Sequence, residues 1–221
     1  MIIRRMDHHT GSSTLDAGVA GIVVAADVTP RWEWRTFVRG TLPLRHDLLT
    51  WVGAPEAPRD ETYLLSACSE DNVKVRNLHL EIKRLERRNS GLELWIPVLR
   101  AAFPVGMRVL DRVYAAWRVR EPVPRQTRYT LAELEHEIVS PAAALRAVLV
   151  TKRRTRIESR ECHGELVELL VQGERWESVA FEDPDPARVL NAVRHLALAR
   201  FANTSYPAAL KRIAGLAAAL P

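Results

Sequence analysis

The feature that most constrains the fold is an alternation of charged and apolar residues with a period of two. In the stretch VTKRRTRI, Lys152, Arg154 and Arg156 occupy every second position. This is the spacing of a β-strand, in which alternate side chains share a face, whereas a helix would spread the same residues around its axis. The stretch is therefore predicted to be a strand that carries three cations on one face.

Eight segments of the chain are predicted to be strands, because they are short and rich in aliphatic, β-branched or aromatic residues. In sequence order they are RWEWRTF, ETYLLSA, NVKVRN, HLEIKRLER, LELWIPVL, LRAVLVTKRRTRIES, GELVELLV and RWESVAFE. Residues 53–60, GAPEAPRD, are predicted to be a loop. The NSG sequence at 89–91 and Gln172-Gly173 predict tight turns between neighbouring strands.

Helical spacing of apolar residues predicts helices near 42–52, 105–117, 131–139, 183–198 and 203–216. Thr130, followed three residues later by Glu133, predicts a capping box at the third of them. Eight strands with helices around them predict an α+β fold, an eight-stranded antiparallel β-barrel covered by outer helices. We expect one domain over residues 30–221, preceded by a flexible or disordered extension over residues 1–29.

The charged strand faces have two interpretations. Antiparallel sheets commonly have one dry and one wet face, so the charges would simply be solvated. Alternatively, they line the inside of the barrel and bind an anion. The bias in sign favours the second interpretation, because like charges on adjacent strands destabilise a sheet unless something neutralises them. The strand cations are Arg35, Lys74, Arg76, Lys83, Lys152, Arg154 and Arg156.

Composition narrows the partners and the compartment. The formal net charge is +5, which fits an anionic ligand but does not require one. No nucleic-acid motif is present, so no nucleic-acid partner is expected. The apolar stretch AGVAGIVVAA is too short to span a bilayer, so no membrane association is expected either. The two cysteines, Cys68 and Cys162, form no C-x-x-C pair and favour a reducing compartment, the cytoplasm.

The order of these segments resembles the CYTH superfamily, also called triphosphate tunnel metalloenzymes. RWEWRTF resembles the E-x-E-x-K signature of its first strand, and VTKRRTRI resembles its basic V-x-K-x-R strand. NVKVRN, HLEIKRL, GELVEL, SVAFED and NTSYPAALKRI resemble further family segments in the same order, from about residue 31 to 216. The closing segment is also similar to that of bacterial proteins described as exopolyphosphatase-related.

This resemblance implies a tunnel that binds a triphosphate compound or inorganic polyphosphate together with Mg²⁺ or Mn²⁺. The seven strand cations would bind phosphate, and two of them, Lys83 and Arg154, would be catalytic. Glu33, Glu165 and Glu182 would hold the metal. Because family members are often dimers, a homodimer is a further expectation.

The sequence departs from the family pattern in its acidic half. Arg31 stands at the first glutamate position of the signature, and Arg35 replaces its lysine. Trp95, in ELWIPV, lies where the family often carries R-x-E. Two hypotheses follow. The first is an enzyme that hydrolyses inorganic triphosphate, polyphosphate or another triphosphate compound with a metal ion. The second is a module that binds polyphosphate or a nucleotide without turnover, its metal site having degenerated.

Overall fold

The structure, a computed structural model, describes residues 29–43, 52–120, 125–157 and 162–216. Its strands are β1 (Arg31–Arg39), β2 (Val52–Pro55), β3 (Arg59–Ser66), β4 (Asn72–Arg76), β5 (His79–Asn89), β6 (Leu92–Ala102), β7 (Val105–Gly106), β8 (Arg128–Tyr129), β9 (Leu145–Ile157), β10 (His163–Val171) and β11 (Glu174–Asp183).

Eight strands of the described chain close into an antiparallel barrel. Their order around the ring is β1-β6-β5-β4-β3-β9-β10-β11, and β11 pairs with β1 to complete it. Every pairing is antiparallel, and closure leaves these strands without a free edge. The predicted fold class is confirmed.

The two hairpin turns form as their sequences predict. Gln172 and Gly173, which join β10 to β11, both have positive φ angles, of 49° and 80°. Ser90 and Gly91, which join β5 to β6, have φ angles of 52° and 77°. Positive φ at both central residues is the requirement of the type I′ hairpin turn, and glycine adopts it without steric cost.

The prediction of a loop over residues 53–60 was wrong in part. Residues 52–55 form β2, which pairs with the end of β9, and β3 begins at Arg59. β2 and β3 therefore both pair with β9, one beyond the other along it, and a short irregular stretch separates them. Pro55 and Pro58 flank that stretch and have no backbone N–H to donate to a neighbouring strand.

Within the described residues, four α-helices accompany the barrel. They are α1 (Met107–Trp117), the short α2 (Leu131–Glu133), α3 (Pro186–His195) and α4 (Tyr206–Ile213). α2 continues into a π-helical turn, Leu134–Val139, and a 3₁₀ turn, Leu198–Arg200, follows α3. The capping box of Thr130 and Glu133 at the start of α2 is confirmed.

Two apolar layers cover the outside of the barrel. On one side α1 and the α2 region pack on outward residues of β4 and β5, such as Val73, Val75, Leu80 and Ile82. On the other side α3 packs on β1, β10 and β11, where Phe181 is fully buried. The apolar faces of these strands therefore point outwards to the helices, and the opposite, charged faces point into the barrel.

The barrel interior is divided into two halves along its axis. Near the starts of β1 and β3 and the end of β9 it is lined by charged side chains, and we call this the charged half. Beyond it lies the apolar half, a cluster of Tyr63, Leu65, Val148, Val150, Val167, Leu169, Val171, Tyr206, Leu210 and Leu216. Because α4 contributes to this cluster, the barrel is filled at one end.

Some predictions fall outside the described residues. The extension over residues 1–29 lies almost wholly in residues 1–28, and the helix predicted over 42–52 lies mainly in residues 44–51. Within the ranges that are described, none of the helices has the length and apolar character needed to cross a membrane.

Candidate active site

The charged half of the barrel encloses a cavity of about 370 Å³. Among the described residues, nine cationic side chains line it against four carboxylates, so its wall carries a net positive charge. The cations are Arg31, Arg35, Arg59, Lys74, Arg76, Lys83, Lys152, Arg154 and Arg156, and the acids are Glu33, Glu61, Glu165 and Glu182. All ten site residues predicted from the sequence are in this set. Their position is thereby established, and their roles stay predictions.

The three alternating cations of β9 mark the depth of the cavity. The side chain of Lys152 is 6% exposed, that of Arg154 is 26% exposed and that of Arg156 is 75% exposed. The strand thus runs from the buried floor to the solvent at the cavity mouth. The alternation in VTKRRTRI is that of an inward face, and only its last cation is mainly solvated.

Two stacked tyrosines form the floor of the cavity. The rings of Tyr63 on β3 and Tyr206 at the start of α4 lie 5.3 Å apart and nearly parallel. The Lys152 ammonium lies 3.9 Å from the centre of the Tyr206 ring, and the Arg35 guanidinium lies 4.5 Å from it. Cations placed over aromatic faces are attracted by the ring quadrupole. The floor therefore holds both cations while closing the cavity against the apolar half.

Arg35 is the most extensively bonded cation of the site. Its Nε donates to Glu33 at 2.9 Å, while its terminal nitrogens donate to Glu165 at 2.7 Å and to Ser178 at 3.2 Å. Burial alone would raise the pKa of Glu165, but Arg35, Lys152 and Arg154 lower it to about 2. Glu165 is therefore ionised across the physiological range.

A buried carboxylate joins two lysines at the floor. Glu61 Oε2 accepts from Lys152 Nζ at 2.7 Å and from Lys74 Nζ at 3.1 Å. Burial and the neighbouring Lys74 charge lower the pKa of Lys152 to about 7, although Glu61 opposes this change. The pKa of Lys74 is also lowered, mainly by burial. An anion that enters the cavity favours the charged form of both lysines, because it stabilises a neighbouring positive charge.

The carboxylate of Glu56, in the irregular stretch between β2 and β3, fixes the orientation of Arg154. Its Nε and Nη2 donate to Glu56 at 2.8 to 3.1 Å, and its Nη1 lies 3.7 Å from Glu165. Hydrogen bonding to Arg154 lowers the pKa of Glu56. This two-nitrogen clamp holds the guanidinium in one orientation within the cavity wall.

The remaining cations lie along the wall and at the mouth. Arg76 donates to Glu81 at 2.8 Å, and Arg31 lies 3.8 Å from Glu182. Lys83 lines the cavity and forms no hydrogen bond or ion pair with any described residue. Lys83 is therefore the lining lysine whose ammonium group is most available to a ligand.

Several buried polar atoms of the wall have no hydrogen-bond partner in the part of the chain that the structure describes. They are Arg59 Nε, Glu61 Oε1, Asn72 Oδ1, Trp95 Nε1 and Tyr206 Oη, all on residues that line the cavity. Buried polar groups are nearly always paired in folded proteins, because an unpaired one costs about 1–3 kcal/mol. Their concentration around one cavity indicates that these groups bind solvent or a ligand there.

The predicted metal ligands are only partly brought together. Glu33 and Glu182 are cross-strand partners on β1 and β11, and both line the cavity. The Glu165 carboxylate instead forms ion pairs with Arg35 and Arg154. Within the described ranges no three His, Cys, Asp or Glu side chains form a group that could hold a metal ion. The pair Glu33 and Glu182 still fits Mg²⁺, which often binds one or two carboxylates plus substrate phosphates.

Sequence reasoning missed several residues of the cavity. Glu56 and Arg59 were assigned to a loop, although they lie beside Arg154 and Lys152. Glu61 and Tyr63 lie in a correctly predicted strand but were not recognised as inward-facing. Their alternation in RDETYLL was the available signal, because Arg59, Glu61 and Tyr63 share one face. Tyr206, in the NTSYP segment, closes the cavity, and its hydroxyl has no partner among the described residues.

Comparisons with known proteins give distant similarities. No family model matches the chain, and no curated protein matches it. Among solved structures, HpAC1 from Hippeastrum, which is described as having a dominant triphosphatase activity, is 11% identical with a TM-score of 0.43. That alignment covers 82% of this chain and 95% of HpAC1.

Two further solved structures are similar at the same identity. The PH1819 protein from Pyrococcus horikoshii OT3 is 11% identical with a TM-score of 0.40, over 82% of this chain and 99% of its own. The Pct1 RNA triphosphatase of S. pombe, solved with the Spt5 CTD, is 11% identical with a TM-score of 0.28, over 85% and 81%. Membership of the CYTH superfamily, and of its exopolyphosphatase-related subgroup, stays a prediction from the sequence motifs.

Proposed function

We propose that the cavity binds a linear polyanion, either a triphosphate compound or the end of an inorganic polyphosphate chain. The observation that carries this proposal is the excess of nine cations over four carboxylates in a cavity closed at one end. Such an excess of like charge inside a barrel is unfavourable unless an anion neutralises it. Charge-assisted hydrogen bonds from Arg and Lys to phosphate oxygens are the strong ones.

The arrangement suits a chain of phosphates that enters by its end. Cations occur at every depth, from Arg156 at the mouth through Arg154 to Lys152 at the floor. The tyrosine floor stops the chain, so a longer polyphosphate or the organic part of a triphosphate compound stays at the mouth. Inorganic tripolyphosphate and ATP are therefore the two probes that separate a bare chain from a nucleotide.

The proposed activity is metal-dependent hydrolysis of a terminal phosphoryl group. Lys83, which is unpaired within the described chain, and Arg154, which Glu56 orients, would neutralise charge on the phosphoryl oxygens as the bond breaks. Glu33 and Glu182 would hold Mg²⁺ or Mn²⁺ together with substrate phosphates, with Glu165 in the adjoining wall. Such an ion, when bound, polarises the phosphoryl group.

A second candidate function is binding without turnover. Arg31 lies 3.8 Å from Glu182, and a cation at that position disfavours a metal ion beside it. Glu33 is already bonded to Arg35 at 2.9 Å, so a metal ion has to compete with an existing ion pair. These two contacts favour a polyphosphate- or nucleotide-binding module, since the cations alone suffice to bind the anion.

One assay separates the two functions. Phosphate release from inorganic tripolyphosphate and from ATP is measured with Mg²⁺, with Mn²⁺ and with EDTA, and thermal stability is measured with the same ligands. Release that EDTA abolishes establishes the hydrolase. Stabilisation by tripolyphosphate without release establishes the binding module, because a ligand of the folded state raises its apparent stability. If neither phosphate release nor stabilisation is observed, the proposed function is refuted.

Glu33→Gln then tests the metal site. The substitution keeps the shape of the side chain and removes one carboxylate charge, so a hydrolase is expected to lose metal-dependent release while still binding tripolyphosphate. Glu177→Gln is the matched control, since Glu177 is a buried carboxylate of the same barrel outside the cavity that accepts from Leu42 N. Equal phosphate release from the wild type and both variants would exclude Glu33 as a metal ligand.

A further inference from the structure

Glu61 is a carboxylate placed where its charge opposes the binding of an anion. It is 1% exposed and lies at the floor of a cavity whose wall is otherwise dominated by cations. Burying a carboxylate is costly unless several groups satisfy it. Neither the family motifs nor the predicted site assigned it a part, so its position calls for a reason within the site.

The topology places Glu61 between the two lysines. β3 lies between β4 and β9 in the barrel, and Glu61, Lys74 and Lys152 are on these three strands with their side chains inwards. One oxygen, Oε2, accepts from both ammonium groups, and the Tyr63 hydroxyl also donates to it at 3.2 Å while accepting from Lys152. The two lysines therefore bind one shared acceptor.

We infer that Glu61 is a positioning residue that holds Lys74 and Lys152 side by side as one phosphate-binding pair and favours the protonated form of each. This inference rests on the proposed function for the identity of the anion. Two buried ammonium groups this close repel each other, and without an anion between them one of them gives up its proton. Glu61 supplies such an anion in the free protein and so opposes the loss of a proton. A phosphate that arrives then finds both lysine side chains already in place and completes their protonation.

The alternative role of Glu61 would be to compete with the ligand for the same two lysines. The geometry favours positioning, because Oε1 of Glu61 makes no hydrogen bond and lies 3.4 Å from Arg59 Nε, which also makes none. The carboxylate thus binds the lysines through one oxygen only. Lys152 also donates to the Tyr63 hydroxyl, but each ammonium group keeps at least one donor for a ligand. The two parts predict opposite signs for the same substitution.

Other charged groups face this cluster and are shared by all variants of the test. They are Arg35 on β1, Arg76 on β4, Glu81 and Lys83 on β5, Arg59 and Tyr63 on β3, Glu165 on β10, Arg154 on β9 and Tyr206 on α4. Because none of them is changed by a substitution at position 61, a difference between wild type and variant reports the loss of the shared acceptor.

The first measurement is a lysine titration of the ligand-free protein by carbon NMR at the Cε position. Glu61→Gln is expected to lower the pKa of Lys74 or Lys152 by about one unit or more, because the compensating charge is removed. Glu177→Gln, a substitution of a buried carboxylate outside the cavity, is the matched control and should leave both lysine pKa values unchanged. Unchanged lysine pKa values in Glu61→Gln would overturn the inference.

The second measurement is tripolyphosphate affinity by calorimetry between pH 6 and 9. Glu61→Gln is expected to weaken binding about tenfold at pH 7.5 and to move the decline of affinity to lower pH. A purely structural residue would lower the unfolding temperature without moving that decline. Equal or tighter binding in Glu61→Gln would overturn the inference in favour of competition.

The two measurements also separate this inference from the proposed function. If the wild type does not bind tripolyphosphate, the proposed function fails. The lysine titration of the ligand-free protein still tests whether Glu61 raises the pKa values of the two lysines. Should Glu61→Gln not fold, Glu61→Asp serves instead. Its shorter side chain cannot reach both lysines, so one of the two pKa values should fall while the other is kept. Two unchanged values would again overturn the inference.

Discussion

The charged and apolar halves of the barrel interior are built from the same strands. On β9, Val148 and Val150 lie in the apolar half, and Lys152 and Arg154 continue the same inward face into the charged half. On β10, Glu165 lines the cavity, and Leu169 and Val171 fill the other end. The backbone is alike in both halves, so the difference lies in the side chains alone. One half provides the packed core, and the other gives up packing for a binding cavity.

The largest expected effect comes from breaking the apolar half. Val148→Lys would place an ammonium group four residues before Lys152 on the same face, where Val148 is buried opposite Tyr63 in the apolar cluster. An unpaired buried charge is among the most destabilising substitutions, so we expect the free energy of unfolding to fall by more than about 4 kcal/mol. Urea denaturation followed by circular dichroism measures the loss.

The neighbouring residue gives the control for that prediction. Leu149 is 59% exposed on the outer face of the same strand. Leu149→Lys should change the free energy of unfolding by no more than about 0.5 kcal/mol, as is usual for surface substitutions. Similar losses in both variants would mean that the apolar half is not packed as the structure has it.

The second prediction breaks the charged half at Arg154. Arg154→Ala removes a cation that Glu56 holds in a fixed orientation. Hydrogen bonds to charged groups contribute about 1.5–3 kcal/mol, so tripolyphosphate affinity should fall about 10- to 100-fold in calorimetry. Arg153→Ala is the control, because the exposed Arg153 side chain lies on the outer face of the same strand. Equal losses in the two variants would refute the assignment of Arg154 to the binding wall.

Much of this division could be predicted from the sequence. The alternation in VTKRRTRI predicted both the strand and the shared face of its cations, and the family motifs predicted an inward direction. The same alternation extends back through Val150 and Val148, so the sequence itself contains the point where this strand face changes from apolar to charged. The strands and turns followed from local patterns that the fold does not override.

Other parts of the site could not be predicted, because they depend on contacts between distant segments. The sequence around Glu61 does not show that Lys74 and Lys152 meet on either side of it. Glu56 follows Pro55 in a stretch that resembles a loop, and only its pairing beside β9 brings it to Arg154. That α4 closes one end of the barrel also depends on packing between residues far apart in the chain.

The third prediction uses the pH dependence of the charged half. Burial and the Lys74 charge lower the pKa of Lys152 to about 7 in the free protein, and a bound anion raises it again. Above about pH 7 binding therefore takes up a proton, and affinity should decline by at most about tenfold per pH unit. Lys152→Arg should flatten this decline, because a guanidinium stays protonated. Calorimetry with tripolyphosphate from pH 6.5 to 9 compares the two proteins.

The protonation of tripolyphosphate itself affects both proteins alike, so only the difference between their pH profiles reports Lys152. Identical profiles would show that Lys152 is charged in the free protein throughout this range. Without ligand, the unfolded chain binds more protons than the folded one between about pH 7 and the usual pKa of lysine. The contribution of Lys152 to stability should therefore rise with pH in that window.

The smallest expected effect lies at the boundary between the two halves. Tyr206 packs its ring against Tyr63 and Phe37 on the apolar side, while its hydroxyl, at the cavity floor, has no hydrogen-bond partner among the residues described. Tyr206→Phe keeps the ring and removes the hydroxyl, so stability should change by less than about 1 kcal/mol, in either direction. Tripolyphosphate affinity should fall only a few-fold, since one neutral hydrogen bond is lost.

Tyr206→Ala removes the ring as well and is expected to cost about 3–5 kcal/mol, because it opens a cavity in the apolar half. Urea denaturation and calorimetry on both variants separate the two contributions of the residue. If Tyr206→Phe left the affinity unchanged, the floor would act only as a wall, and the chain would bind above it. If it lowered the affinity as much as Arg154→Ala, the hydroxyl would be a principal ligand contact. The boundary would then belong to the charged half.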